Sequence, residues 1–129
     1  MTHRLAVLIS GAGTNLQAIL DAIAAGDLPA RVTLVLSNRA GAPGLARAER
    51  AGLSTAVINH RDYDGREAFD RAMIERIDAA GADTVVLAGF MRILSPLFVG
   101  HYQGRLLNIH PSLLPKYPGL DTHARALAA

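Results

Sequence analysis

Three short stretches of this sequence hold residue types that can do chemistry together. The first is Ser10-Gly11-Ala12-Gly13-Thr14-Asn15-Leu16. Glycines between an apolar run and the start of a helix let the backbone approach an anion. The free N–H groups of the helix start then face that negative charge. Thr14 and Asn15 add side-chain donors. A dinucleotide site would want a third glycine where Leu16 stands, and an acidic residue where Asn38-Arg39 stands. No Gly-Lys-Ser/Thr follows, so a nucleoside-triphosphate loop does not fit either. The alternative is a tight turn that binds nothing. The second stretch is Asn108-Ile109-His110. If it is a strand, Asn108 and His110 share one face and Ile109 enters the core. An amide can donate to a developing oxyanion, and an imidazole can move a proton or, as a cation, stabilise the same oxygen. The alternative is a pair of hydrogen-bonded residues at a strand end. The third stretch, Ala88-Gly89-Phe90-Met91-Arg92-Ile93-Leu94, is an apolar loop with one arginine. It can line a slot for a flat ligand, or simply connect two elements. No Ser or Cys nucleophile beside a base is visible, so covalent catalysis has no candidate.

These stretches need a frame to hold them. Leu5–Ile9 is a continuous apolar run closed by glycine, the pattern of a strand buried on both faces. Leu16, Ile19, Leu20 and Ile23 recur at helical spacing, with Gly26 as the stop. Val32–Leu36 predicts a second strand and Pro43–Ala51 a helix capped by Gly52. Thr55–Ile58 predicts a third strand. Arg66–Ala80 predicts a helix with Phe69, Met73, Ile74 and Ile77 on one face and Gly81 as its stop. Thr84–Leu87 predicts a fourth strand, Pro96–His101 a short helix, and Arg105–His110 a further strand-like segment. Alternating strands and helices predict an α/β fold, a mostly parallel sheet with helices on both faces. Ligands of such sheets bind at the carboxyl ends of the strands, where the three stretches fall. No internal repeat or linker is present.

Composition narrows the function classes. The chain has 129 residues, half of them hydrophobic and 19% charged, which argues for one ordered domain. Cysteine is absent, which excludes a disulfide scaffold, a Cys-ligated zinc and a cysteine nucleophile, and fits a cytoplasmic protein. The net charge is +2, and every basic residue except Lys116 is arginine. The arginines are scattered rather than striped, so no nucleic-acid footprint is expected. No apolar run approaches the roughly 20 residues of a membrane span, and no signal peptide is read at the N-terminus. His3, His60 and His101 are expected in solvent, His123 near the candidate site, and no histidine spacing forms a metal box.

Taken together, the three stretches resemble the phosphoribosylglycinamide formyltransferase family. The resemblance runs from Leu5 to Ala129 in one register. It is strongest at Leu107-Asn108-Ile109-His110-Pro111-Ser112-Leu113-Leu114-Pro115-Lys116-Tyr117-Pro118-Gly119-Leu120. It implies a three-layer, Rossmann-like formyltransferase fold. The implied reaction moves a formyl group from the cosubstrate 10-formyltetrahydrofolate to the amine of glycinamide ribonucleotide, in purine (IMP) biosynthesis. It further implies Gly13, Thr14 and Asn15 for the substrate phosphate. Arg66, Met91, Arg92, Ile93, Leu94 and Asn108 are implied for the folate, and Asn108 and His110 as the catalytic pair, with no metal. The partners implied are these two small molecules, with no nucleic acid and no membrane; the resemblance says nothing of oligomeric state.

Two departures accompany the resemblance. Asp121 stands where some family members carry histidine. Family chains are also about one and a half times as long, a size still ordinary for one domain. Residues 1–129 are therefore expected to form the N-terminal portion of a single formyltransferase domain, ending inside a helix begun near Asp121–Thr122. The resemblance places a catalytic aspartate, paired with the histidine, beyond that point. Alternative readings are another formyl-folate enzyme (a formyltetrahydrofolate hydrolase or a methionyl-tRNA formyltransferase), or a truncated, inactive nucleotide-binding relative.

Overall fold

The computed structural model describes residues 3–91 and 94–109. The predicted final helix lies outside them. Strands β1 (His3–Ile9), β2 (Ala30–Ser37), β3 (Thr55–Val57), β4 (Thr84–Leu87) and β5 (Leu106–Asn108) alternate with helices α1 (Thr14–Ala24), α2 (Pro43–Arg50), α3 (Arg66–Ala79) and α4 (Pro96–His101). The sheet is parallel throughout, in the order β3-β2-β1-β4-β5.

The alternation of side chains along β1 sets the two layers. Leu5, Val7 and Ile9 face one way and join Leu16, Ile19, Leu45 and Ala48 of α1 and α2. Ala6 and Leu8 face the other way and join Phe69, Met73 and Ile77 of α3 and Phe98 and Tyr102 at α4. Both faces of the sheet are covered, which is why β1 reads as an unbroken apolar run. The chain winds outward from β1 with α1 and α2 on one face, then returns to β4 through α3 on the other. The order of winding reverses between β1 and β4, and there the loops leaving the two strands diverge and open a crevice.

The α3–α4 layer is locked by polar contacts at its edge. Tyr102 donates its hydroxyl to Asp78 Oδ1 (2.9 Å), and His101 Nε2 lies 2.8 Å from Asp78 Oδ2. Burial, with the carboxylate beside it, raises the Tyr102 phenol far above its ordinary value, so the hydroxyl stays a donor.

The sheet's opposite end carries a pH-sensitive tie. Asp83 accepts the backbone N–H of Arg4 with both oxygens (3.3 and 3.1 Å) and the Thr84 hydroxyl (3.0 Å). Partial burial pushes this carboxyl up. The Arg4 N–H, the Thr84 hydroxyl and the positive charges of His3 and Arg4 outweigh that and hold it below its ordinary value. The unfolded chain therefore binds more protons at Asp83 than the folded one as pH falls. The stabilisation is complete above the unfolded value of about 4 and is lost as pH falls through the folded one. The thermal midpoint of the wild type should drop over that range, and Asp83→Asn should blunt the drop. Identical acid profiles for the two proteins would refute this role.

Candidate functional site

The register of the sheet brings the predicted residues to one edge. Leu8 of β1 is paired with Leu87 of β4, and Leu87 with Asn108 of β5. Parallel neighbours lie about 4.8 Å apart, so the loop after β1, the loop after β4 and Asn108 lie within about 10 Å of strand width. The ladder continues past β5 through the Ile109 N–H, which donates to Leu87 O (3.0 Å). Ile109 is buried in the α1–α2 layer and Asn108 is exposed at the carboxyl edge, the opposite facing expected for successive strand residues. His110, the other half of the predicted catalytic pair, lies outside the described residues, as do Arg92 and Ile93.

The glycine loop is held in place from its far side. Gly13 is the N-cap of α1 with φ 79° and ψ 25°, and no side chain caps the helix. The first N–H groups of α1 therefore have no capping side chain to satisfy them, with Thr14 exposed and Asn15 half-buried beside them. The start of α2 packs directly behind this loop. Gly44 N–H donates to Gly11 O (3.0 Å). Arg47 donates from Nε to Ala12 O (2.8 Å) and from Nη1 to Gln17 Oε1 (3.4 Å). Here two backbones meet. A Cβ on Gly13 would lie 2.6 Å from Gly44 Cα, and a Cβ on Gly44 would lie 2.6 Å from Ile9 Cδ1.

The loop after β4 approaches the glycine loop across the crevice. A Cβ on Gly89 would lie 4.0 Å from Asn15 Nδ2. Ser10, fully buried, donates its hydroxyl to Asn38 Oδ1 (2.6 Å) and accepts the Met91 N–H (2.8 Å). Asn38 stands where a dinucleotide site would place an acidic residue for a ribose. Its side chain is instead turned inward to Ser10, with 3% exposure. Met91 itself is 79% exposed, an apolar side chain held open beside the crevice. At the far end of this loop, the buried carboxyl of Asp70 accepts the Ser95 N–H (2.7 Å).

Arg66 sits at the start of α3, exposed, on a 250 Å³ recess lined by His60, Tyr63, Gly65 and Phe69. Among the described residues it makes no direct contact with the loop after β4. The link runs through Phe69, part of the core layer against which Phe90 and Leu94 pack. The expectation that His60 is solvated is corrected. It is half-buried and meets Phe69 edge-on, with ring centroids 6.2 Å apart, because the 3₁₀ turn His60–Asp62 folds it under α3. His3 and His101 are exposed as expected. Among the described residues, no group of three or more His, Asp and Glu side chains is placed to hold a metal ion. No helix among them is long and apolar enough to cross a membrane.

The sequence matches the formyl transferase family over residues 3–129. The chain belongs to that family. Among similar proteins, the phosphoribosylglycinamide formyltransferase of Escherichia coli (strain K12) is 60% identical over 121 residues, covering 94% of this chain and 57% of that protein. The human trifunctional purine biosynthetic protein adenosine-3 is 50% identical over 124 residues, 96% of this chain and 12% of that protein. The solved structure of phosphoribosylglycinamide formyltransferase from Coxiella burnetii matches with a TM-score of 0.82 at 52% identity, covering 99% of this chain and 60% of that one. The formyl transferase chain thus spans little more than half the length of these bacterial relatives.

Sequence reasoning had not singled out Ser10, Gly44, Arg47 or Asp70 for the roles these contacts describe. A signal existed for Asp70. It lies three, four and seven residues before Met73, Ile74 and Ile77, on the apolar stripe of α3, where a carboxyl is out of place.

Proposed function

We propose that this formyl transferase chain contributes the catalytic core of an enzyme that moves a formyl group from 10-formyltetrahydrofolate to the amine of glycinamide ribonucleotide. The setting is purine biosynthesis in the cytoplasm. The observation that carries the reading is the meeting of the glycine loop, the Met91 loop and Asn108 at one sheet edge, in a chain whose relatives bear that enzyme's name. The uncapped start of α1, with Gly13, Thr14 and Asn15, suits a phosphate monoester. Met91, held open over the crevice, and Leu94 beside it suit the flat face of a pterin. Arg66, at the mouth of its recess, suits a carboxylate of the folate tail.

In the proposed reaction the amine nitrogen attacks the formyl carbon. A C–N bond forms, and the carbonyl electron pair moves onto oxygen. The amide of Asn108 donates a hydrogen bond to that oxyanion, and cationic His110 stabilises the same atom. Collapse of the tetrahedral species breaks the bond to the folate nitrogen. The proton lost by the attacking amine reaches that nitrogen by way of His110, releasing tetrahydrofolate and the formylated amide. Beyond the two substrates the chemistry needs only proton transfer. The test is an acceptor comparison with the full-length protein and 10-formyltetrahydrofolate. Rapid tetrahydrofolate release is expected with glycinamide ribonucleotide, and little with water or methionyl-tRNA. Equal release without the ribonucleotide would replace this reading with a hydrolase.

A further inference from the structure

The loop after β4 is pinned at both ends by buried polar side chains that belong to other elements. At the near end, Ser10 closes β1 and accepts the Met91 N–H at 2.8 Å, while its own proton goes to Asn38 Oδ1 at 2.6 Å. Ser10 and Asn38 are 1% and 3% exposed. One hydroxyl therefore ties together the ends of β1 and β2 and the loop leaving β4. At the other end, Asp70 reaches from α3 to accept the Ser95 N–H at 2.7 Å, immediately before Pro96 starts α4. Asp70 has no exposed surface, and among the described residues its Oδ1 has no hydrogen-bond partner; nor does Ser95 Oγ.

This is an expensive way to build a connection. An apolar residue in place of a buried ionisable side chain is often neutral for stability or better. A spare buried acceptor costs roughly 1–3 kcal/mol. What the two side chains achieve is positional. Each takes one backbone N–H, Met91's or Ser95's, and together they fix where the loop leaves the sheet and where it enters α4. Met91 stays open to solvent on an immobilised backbone, and Leu94 packs on the α3–α4 layer.

We infer that Ser10 and Asp70 are positioning residues for the folate, setting the loop between them in its binding conformation without touching the ligand. This rests on the formyl-folate reading above. The inference separates the two substrates, because the glycine loop has its own clamps in Gly44 and Arg47. In the full-length protein, Ser10→Ala and Asp70→Leu should each weaken tetrahydrofolate binding, measured by calorimetry, by about tenfold. That is the consequence expected of orphaning one buried N–H. The KM for 10-formyltetrahydrofolate should rise in parallel. The KM for glycinamide ribonucleotide and kcat at saturation should stay within about threefold of wild type, the signature of lost binding rather than lost transition-state contacts. Asp70→Asn keeps an acceptor for the Ser95 N–H and should restore folate binding to within about threefold, so it remains informative if the leucine variant does not fold. Equal weakening of both substrates in step with a lower thermal midpoint would overturn the inference and leave a structural role only. Unchanged folate binding in Ser10→Ala and Asp70→Leu, or a tenfold loss in Asp70→Asn, would overturn it as well. Failure of the formyl-folate reading looks different. The wild type itself would bind no tetrahydrofolate, and the inference would fall with it.

Discussion

Asn108→Ala is expected to slow formyl transfer by about 10²–10³ while leaving the protein folded. The size follows from the task. An amide donor aimed at an oxyanion strengthens its hydrogen bond as charge develops, so its removal is felt in the transition state far more than in substrate binding. The preserved fold follows from the geometry. β5 is held by backbone pairing to β4 and by the buried side chains of Leu106 and Ile109. The Asn108 side chain is exposed, and among the described residues it makes no hydrogen bond. Nothing in the sheet depends on it. Substrate KM values should therefore move little while kcat falls, with the thermal midpoint within a degree or two of wild type. Asn108→Asp is the sharper variant. It keeps the shape but replaces a donor by an acceptor carrying negative charge beside the oxyanion, and should be at least as slow. A loss of less than about threefold in single-turnover rate for both variants would remove Asn108 from the chemistry and leave it a strand-end residue.

Much of this frame was legible in the chain, for reasons that can be named. β4 and α4 have the predicted bounds because their limits are local. Ala88-Gly89 ends an apolar run, and Pro96 occupies a helix's first turn without sacrificing a hydrogen bond. β1 and β2 are longer than predicted, reaching His3 and Ala30. Those ends are set by pairing between strands, His3 with Ala30 and Arg4 with Arg31, and not by apolar pattern. The 3₁₀ turn His60–Asp62 was not foreseen, although Asn59 accepts the Arg61 N–H two residues on, an ordinary Asx turn. It is this turn that carries His60 out of solvent.

The site divides along the same line. Gly13, Thr14, Asn15 and Asn108 were readable because each follows a strand, where ligands of parallel sheets bind. Ser10 and Asp70 were not, because their partners are remote in sequence. Met91 is 81 residues from Ser10, and Ser95 is 25 from Asp70. A serine at a strand end and an aspartate on a helix have many uses. Only the tertiary fold shows that both are spent on one loop. The same holds for Gly44, which reads as a helix-start residue until α2 is seen to press on the loop before α1.

That contact carries the second large effect. Gly13→Ala should cost about 2–4 kcal/mol of folding stability and weaken binding of the phosphate-bearing substrate with it. Two costs coincide at this residue. Its φ of 79° lies in the left-handed region, which for a residue with a Cβ costs roughly 1–2 kcal/mol. The added methyl would also lie 2.6 Å from Gly44 Cα and 3.3 Å from Arg47 Cδ. The first of these neighbours is backbone and cannot swing aside. Relief requires α2 to back away, but the Gly44 N–H to Gly11 O bond and the Arg47 to Ala12 O bond hold it there. Moving α2 thus loosens the very loop whose N–H groups would face the phosphate. Gly11 supplies the control within the same loop. A Cβ there meets nothing within 4 Å, and the residue is exposed at a φ that other residues adopt. Gly11→Ala should therefore cost no more than about 0.5 kcal/mol, the range of ordinary surface substitutions. Denaturant titration of the two variants beside wild type decides the matter. Equal, small losses would mean that α2 yields freely and that the close approach of Gly13 and Gly44 does not set the loop.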